Sequence, residues 1–478
     1  MTQTLHDADE NGLHGTPHPP ARIRWAILGV VLAADVLDLL DGTITNIAAP
    51  TITHDLGGGT SLVQWLGASY ALALGVLLVL GGRLGDLYGR RRLFLTGLAG
   101  FTTASVACGL APTPGTLVAA RLVQGAFGAL VVPQGFGILG ATWPRAQIGK
   151  AYSLFGPVMG LSAVGGPILA GLLIDADLAG LGWRPMFLIN LVLGGAALFA
   201  AARLLPHDTG DRTTAVDIPG SALLGATMLA LLTGLIQGSA HGWTAFPVLA
   251  SLAGLALFAA FCHRQRTAPS PLIRPSLLRN RGFTSGLVLG IVFFAAVSGL
   301  LYVVSLFLQQ GLGRSPAGAA LALMPLSAGI VIASIACYRL IARLGRRLVL
   351  IGFLVTLAGT LHLLALVAAS GTGTGRWALV PPLFVIGLGM GACFGSLYDV
   401  TIGDITPAEA GSAGGSLGAV QQLANAVGAA AVTSVYFHSG GGETHATTVS
   451  LTVVAAITLL CCPLVRLLPL KAPEDQHH

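Results

Sequence analysis

Charge is what this sequence lacks. Only 9% of its 478 residues are Asp, Glu, Lys or Arg, against roughly 25% in a soluble globular chain. That leaves too little polar surface to cover a fold in water, and 54% hydrophobic residues point to lipid as the solvent. The six cysteines are scattered through or beside apolar segments without the paired spacing of a zinc site, which excludes a disulfide framework and a metal centre. Walker motifs are absent. Gly387, Gly389 and Gly391 mimic part of a nucleotide loop, but no strand precedes them and an apolar run contains them, so nucleotide binding is excluded. No nucleophile and base cluster, so the chain reads as a non-enzyme without a cofactor. Residues 1–21 lack the apolar centre of a cleavable signal and read as a disordered cytoplasmic tail.

What is present is a succession of apolar runs, each long enough for a bilayer core of about 30 Å. There are fourteen, near 25–49, 63–82, 93–111, 117–142, 151–174, 184–205, 217–237, 245–262, 283–308, 318–340, 348–369, 377–400, 413–437 and 447–468. Glycine is abundant at 66 residues, which suits membrane helices in close approach. The net charge of +6 does not indicate nucleic acid, because the basic residues lie in short loops and form no extended face. Of the 25 Lys and Arg, only Arg184, Arg314 and Arg376 fall on one side, Arg121 falls inside a run, and all the others lie on the opposite side. Loops rich in Lys and Arg stay in the cytoplasm, so both termini are expected there, in a multi-pass protein of the cell membrane.

An internal repeat divides the chain. Arg83-Leu84 followed by Gly89-Arg90-Arg91 recurs as Arg339-Leu340 followed by Gly345-Arg346-Arg347 at the same offset. The expected organisation is an N-terminal six-helix bundle over 22–206, a linker with two extra helices over 207–265, a C-terminal six-helix bundle over 266–470 and a short tail over 471–478.

At these residues the chain resembles the major facilitator superfamily, and within it the fourteen-helix drug:proton antiporters. GGRLGDLYGRRR, from Gly81 to Arg92, is similar to the signature loop between helices 2 and 3 of that superfamily. LLDGTITNIAAPTI, from Leu39 to Ile52, resembles the helix 1 pattern of the fourteen-helix group. Arg121, Gln124, Gly125 and Gly128 match the RxxQGxG motif with the last glycine one place late, and GGPILAG, from Gly165 to Gly171, resembles the antiporter motif with Ala170 in place of one glycine. The resemblance implies an all-α membrane protein with two six-helix bundles around a central cavity open alternately to each side, a monomer that exports lipophilic drugs, antibiotics or dyes against inward-moving protons. It further implies proton coupling through Asp41 and Arg121, gating by Gly82, Asp86, Gly89, Arg90 and Arg91, and an antiporter element at Gly165, Gly166, Pro167 and Gly171. Ala342 takes the place of Asp86 in the second copy, so a single complete latch is expected. A dedicated exporter of one secondary metabolite, a nutrient symporter and a transporter-like sensor would all be compatible with the same fold.

The residues carry chemistry of their own. Asp35, Asp38 and Asp41 recur every three residues in the first run, which would place them along one side of a helix. An ionised carboxylate at bilayer depth costs several kcal/mol, so such groups usually face a cavity and mark proton or substrate sites. Burial and mutual repulsion both favour the protonated form. Arg121 needs a carboxylate, carbonyls or water as partners; a pairing with Asp41 that breaks on protonation and a static polar staple are both open. Asn46, Gln124, Gln134, Gln309, Gln421 and Asn425 either line the cavity or bond helices to one another. Asp399 reads as a solvated helix-end residue, and His362 as structural.

Overall fold

The computed structural model describes residues 19–469 except 58, 153, 212–216, 403–404 and 407–408. No strand occurs among the described residues. The helices are α1 (Ala21–Leu56), α2 (Gly59–Tyr88), α3 (Arg90–Gly109), α4 (Pro114–Thr142), α5 (Arg145–Tyr152), α6 (Phe155–Asp175), α7 (Pro185–Leu204), α8 (Ile218–His241) and α9 (Ala245–Thr267), followed by α10 (Pro275–Arg279), α11 (Arg281–Leu306), α12 (Pro316–Ala322), α13 (Met324–Leu344), α14 (Arg346–Ser370), α15 (Val380–Ile402), α16 (Ala410–His438) and α17 (Glu443–Leu464). Helix covers each of the fourteen apolar runs, and among the described residues nine helices are long and apolar enough to cross a membrane unaided. Two runs are interrupted. The fifth divides into α5 and α6, and the tenth into α12 and α13 just ahead of Pro325, whose ring lacks an N–H and crowds the preceding turn. The ninth run closes with a wider π turn over Phe307–Gly311.

Packing follows the small residues. α4 lies against α2 and α3, α1 against α6 and α7; later in the chain α15 lies against α13 and α14, and α11 against α16 and α17. Between these two sets run contacts of α16 with α2 and α4, and of α6 with α12 and α13. A Cβ on Gly82 would come within 2.9 Å of the Gly411 carbonyl oxygen, and one on Gly415 within 2.6 Å of that of Leu78. The α2–α16 crossing therefore tolerates no side chain on either glycine. It lies at the end of the molecule that carries the Arg-rich loops, hereafter the basic end.

The outside of the molecule is apolar as well. Only 17% of the most apolar stretch of α9 is buried, against 72% for α15, and Phe246, Leu249, Leu252, Leu255 and Phe258 stand exposed along α9. In water such a face would be an aggregation site; hydrocarbon solvates it, while the helix satisfies its own backbone. The chain is a multi-pass membrane protein.

Candidate functional site

Three aspartates on one helix reach three different surroundings. A spacing of three residues falls about 60° short of a full turn at 3.6 residues per turn, so Asp35, Asp38 and Asp41 fan around α1 and do not share one face. Asp41 points into the packed side of the helix and is 2% exposed. Its Oδ2 pairs with Nη1 of Arg121, a residue of α4 with no exposure at all. Its Oδ1 accepts from Gln124 Nε2 at 2.8 Å and from Asn190 Nδ2 at 3.1 Å. Both amides also donate to Ser105 Oγ, at 3.1 Å from Gln124 and 2.8 Å from Asn190. Arg121 in turn donates to Gln124 Oε1 at 2.8 Å and to the Leu66 carbonyl at 3.2 Å. Residues of α4 and α7 thus bond the carboxylate of α1 directly, with Ser105 of α3 behind the two amides, the kind of network that offsets the lost hydration of a buried ion pair.

Tyr70 of α2 connects this centre to its neighbour. The Arg121 guanidinium lies 4.4 Å from the centre of the Tyr70 ring, a cation–π contact. The Tyr70 hydroxyl donates to Asp38 Oδ1. Asp38, together with Asp35, lines a cavity between α1, α2, α4, α6, α15 and α16 that also meets Phe136, Phe155, Tyr398, Gln421 and Gln422. Phe136, Phe155 and Tyr398 form a near-parallel triangle of rings, with centres 5.1 Å apart for Phe136–Phe155, 5.9 Å for Phe136–Tyr398 and 6.5 Å for Phe155–Tyr398. Tyr398 donates to Gln421 Oε1 at 3.0 Å. A carboxylate facing a cavity is thereby joined, through one phenol and one guanidinium, to a carboxylate sealed from it.

The basic end holds the second cluster. Asp86, near the end of α2, pairs with Arg90 at 3.2 Å and with Arg274 at 3.3 Å. Arg274 stands just before α10 and lies 4.0 Å from Glu409, the residue preceding α16, which also accepts from Ser276. Arg83 donates to the carbonyls of Pro271 at 2.6 Å and Leu272 at 2.9 Å. Arg90 Nη1 reaches the Gly137 carbonyl at 2.8 Å. Gly89 adopts φ +93° as the residue before α3, a backbone conformation that favours glycine. Asp86 is therefore joined to α3 and to the segment that leads into α11, next to the Gly82–Gly411 crossing.

The remaining sequence candidates separate by surroundings. Gln421 lines the cavity, whereas Asn425, farther along α16, is half-buried outside its lining. Gln124 belongs to the Asp41 centre. Gln134 is fully buried and donates to the Gly81 carbonyl at 2.8 Å, tying α4 to α2. Gln309 donates to Ser305 Oγ at 2.9 Å within the end of its own run. Gly165 and Gly166 lie in an unbroken α6 against α1, where a Cβ on Gly166 would overlap Thr43 Oγ1; Gly171 is half-buried on the same helix. The side chains of Asn46 and Pro167 lie outside the described residues. Asp399 is half-buried and faces Gly149 of α5, while His362 is exposed on α14. Sequence reasoning passed over Tyr70, Ser105, Asn190, Tyr398, Arg274 and Glu409 as site residues. A phenol in the middle of an apolar run was the available signal for Tyr70.

A family model described as Major Facilitator Superfamily matches residues 31–429. The chain is 43% identical over 441 residues to the probable actinorhodin transporter of Streptomyces coelicolor, covering 91% of this chain and 76% of that protein. It is 34% identical over 435 residues to the tetracenomycin C resistance and export protein of Streptomyces glaucescens, covering 90% of this chain and 79% of that protein. Among solved structures, the human organic anion transporter MFSD10 superposes with a TM-score of 0.64 at 18% identity, over 94% of this chain and 100% of that one, a likeness of fold alone.

Proposed function

We propose that this chain, which belongs to the Major Facilitator Superfamily, exports small lipophilic organic compounds of the antibiotic and drug type in exchange for protons. The observation that carries the coupling is the line Asp38, Tyr70, Arg121, Asp41, which runs from a cavity to a sealed ion pair. A proton entering from the cavity meets Asp38 first. Neutralising it removes the charged acceptor of the Tyr70 hydroxyl and frees the ring against which Arg121 rests. Neutralising Asp41 in its turn cancels the attraction that draws Arg121 and α4 toward α1. Each proton falling through the membrane potential contributes about 2.3 kcal/mol per 100 mV, comparable with the strength of such contacts.

Export as the direction, and antibiotics as substrates, rest on the relatives, one of which is named for resistance and export. In this reading the chain crosses the cell membrane fourteen times as a monomer, with both termini in the cytoplasm. Bundles over 22–206 and 266–470 rock about the cavity, and 207–265 supplies two further helices. Gly82, Asp86, Gly89, Arg90 and Arg91 with Arg274 close the cytoplasmic side; Gly165 and Gly166 seat α6 on α1, in the antiporter element that runs on to Pro167 and Gly171. Phe136, Phe155 and Tyr398 offer flat faces to an aromatic substrate, and Gln421 and Gln422 its polar groups. The bilayer, the proton gradient and the substrate are its partners, with no cofactor.

The test is accumulation of dye or drug in inverted membrane vesicles under an imposed pH gradient. Accumulation abolished by a protonophore, and lost in Asp41→Asn while ligand binding persists, supports coupling through Asp41. Normal transport by Asp41→Asn together with failure of Asp38→Asn would move the coupling to Asp38. No movement of any compound by the parent chain would sink the exporter reading. A dedicated exporter of one metabolite is the second reading, favoured by relatives that are each named for a single compound; a panel of competitors distinguishes the two by breadth.

A further inference from the structure

The segment between α7 and α8 folds back onto the signature loop. Asp208 places its carboxylate on the first two amides of α3, with Arg90 N–H at 2.5 Å and Arg91 N–H at 3.0 Å. The residue at the N-cap position of α3 is Gly89, which has no side chain to do this. Helix N-termini leave such amides without partners and favour negative charge, so a residue 118 positions later in the chain supplies the cap that the local sequence lacks. Three further contacts fix the segment. Asp211 N–H donates to the carbonyl of Asp86 at 2.7 Å. Arg91 Nη2 donates to the Ala202 carbonyl at 2.7 Å. Gly210 has φ +66°, and a Cβ there would lie 2.5 Å from Gly89 N and 2.6 Å from the Leu87 carbonyl oxygen.

We propose that Asp208 is a positioning residue of the gate, capping α3 across the chain so that residues 205–211 act as a strap holding Asp86 and Arg90 in the geometry that closes the basic end. Gly89 and Gly210 have a shared reason in this arrangement: each clears the space through which the strap reaches the helix end. The strap leads into α8, and the segment after α9 supplies Arg274 and the Pro271 and Leu272 carbonyls to the same loop. Both tethers of the inserted helix pair therefore end on the α2–α3 loop. Asp217 and Arg264 join the base of that pair, at 2.7 Å. The inference rests on the gating reading for its meaning in transport, but the contact can be read without a substrate.

The experiment places a reporter cysteine at Val132, which lines the cavity, and follows its labelling by a membrane-impermeant maleimide applied to the basic face of everted membranes, with the chain lacking that cysteine as baseline. Asp208→Ala and Gly210→Val are expected to raise the labelling rate several-fold, the scale of one lost helix cap. Asp208→Asn keeps one acceptor oxygen for the α3 amides but loses the second acceptor and the charge, so its labelling rate is expected between that of the parent and that of Asp208→Ala. Labelling of Asp208→Ala at the parent rate, or of Asp208→Asn as fast as Asp208→Ala, would overturn the proposal. If Asp208→Ala fails to reach the membrane, parent-rate labelling in Gly210→Val overturns it equally. A chain that exports nothing yet shows the expected pattern would leave the strap standing and remove the exporter reading.

Discussion

Arg121 and Asp41 are each other's main compensation in a place closed to bulk solvent. Removing one partner of such a buried pair leaves a charge unmatched, at a cost of about 3–5 kcal/mol, whereas replacing both by uncharged groups is often far milder. Arg121→Met is therefore expected to lower the unfolding midpoint in detergent sharply. Asp41→Asn combined with Arg121→Met should recover much of that loss, and a double-mutant cycle reads the difference; equal losses in single and double variants would contradict the pairing. Tyr70→Phe keeps the ring beneath Arg121 and deletes only the hydroxyl bonded to Asp38. Stability should change by about 1 kcal/mol, while the pH profile of transport shifts; an unchanged profile would take Tyr70 out of the proton route. Asp41 and Arg121 were legible in the sequence because a charge inside an apolar run demands an explanation, whereas Gln124 was read only as lining the cavity or bonding helices. Ser105 and Asn190 were not legible, since a neutral polar residue in a span can bond any neighbouring helix and its position gives no direction.

At the scale of helices, the α2–α16 crossing is the most demanding contact between the two sets of helices. Gly415→Val would drive a branched side chain into the backbone near Leu78, so the basic end should open and labelling of a cavity cysteine from that face should accelerate. An unchanged rate would mean that the crossing does not close the cavity. At the far end of α1, Asp55 accepts from the Trp183 indole at 2.9 Å and from Arg184 at 3.1 Å. The indole hydrogen bond foremost, with the arginine in support, holds its carboxyl below the ordinary carboxylate range against the opposing effect of desolvation. A depressed folded pKa contributes stability above the unfolded value of about 3.9, and that contribution is lost as pH falls through the lowered folded value. Asp55→Asn should flatten the acid limb of the unfolding curve; an unchanged limb would show the tie to be idle. Helix positions were readable from apolar length, whereas the tenth run was read as continuous and the break ahead of α13, next to Pro325, went unread. The fan of the three aspartates was missed because a spacing of three only approximates the helical turn.

At the scale of the whole molecule, the two-lobed expectation came from a repeat of a few residues, and the family match runs over 31–429. How the loops tie the elements together was not readable: Arg274 and Asp208 lie 188 and 118 positions from Asp86 and Arg90, and nothing local marks them as partners.

The exposed flank of α9 bears on the bilayer itself. Its 23 residues span about 35 Å at 1.5 Å rise per residue. α9 packs on α8, and most of what remains of its surface is exposed and apolar, a face for lipid chains to solvate. A membrane thinner than that helix would make the pair tilt or would thicken locally around it, each at a modest cost. Because the tethers of this pair end on Asp86 and on the start of α3, such a tilt would pull on the loop that shuts the basic end, and acyl-chain length would become a variable of the transport cycle.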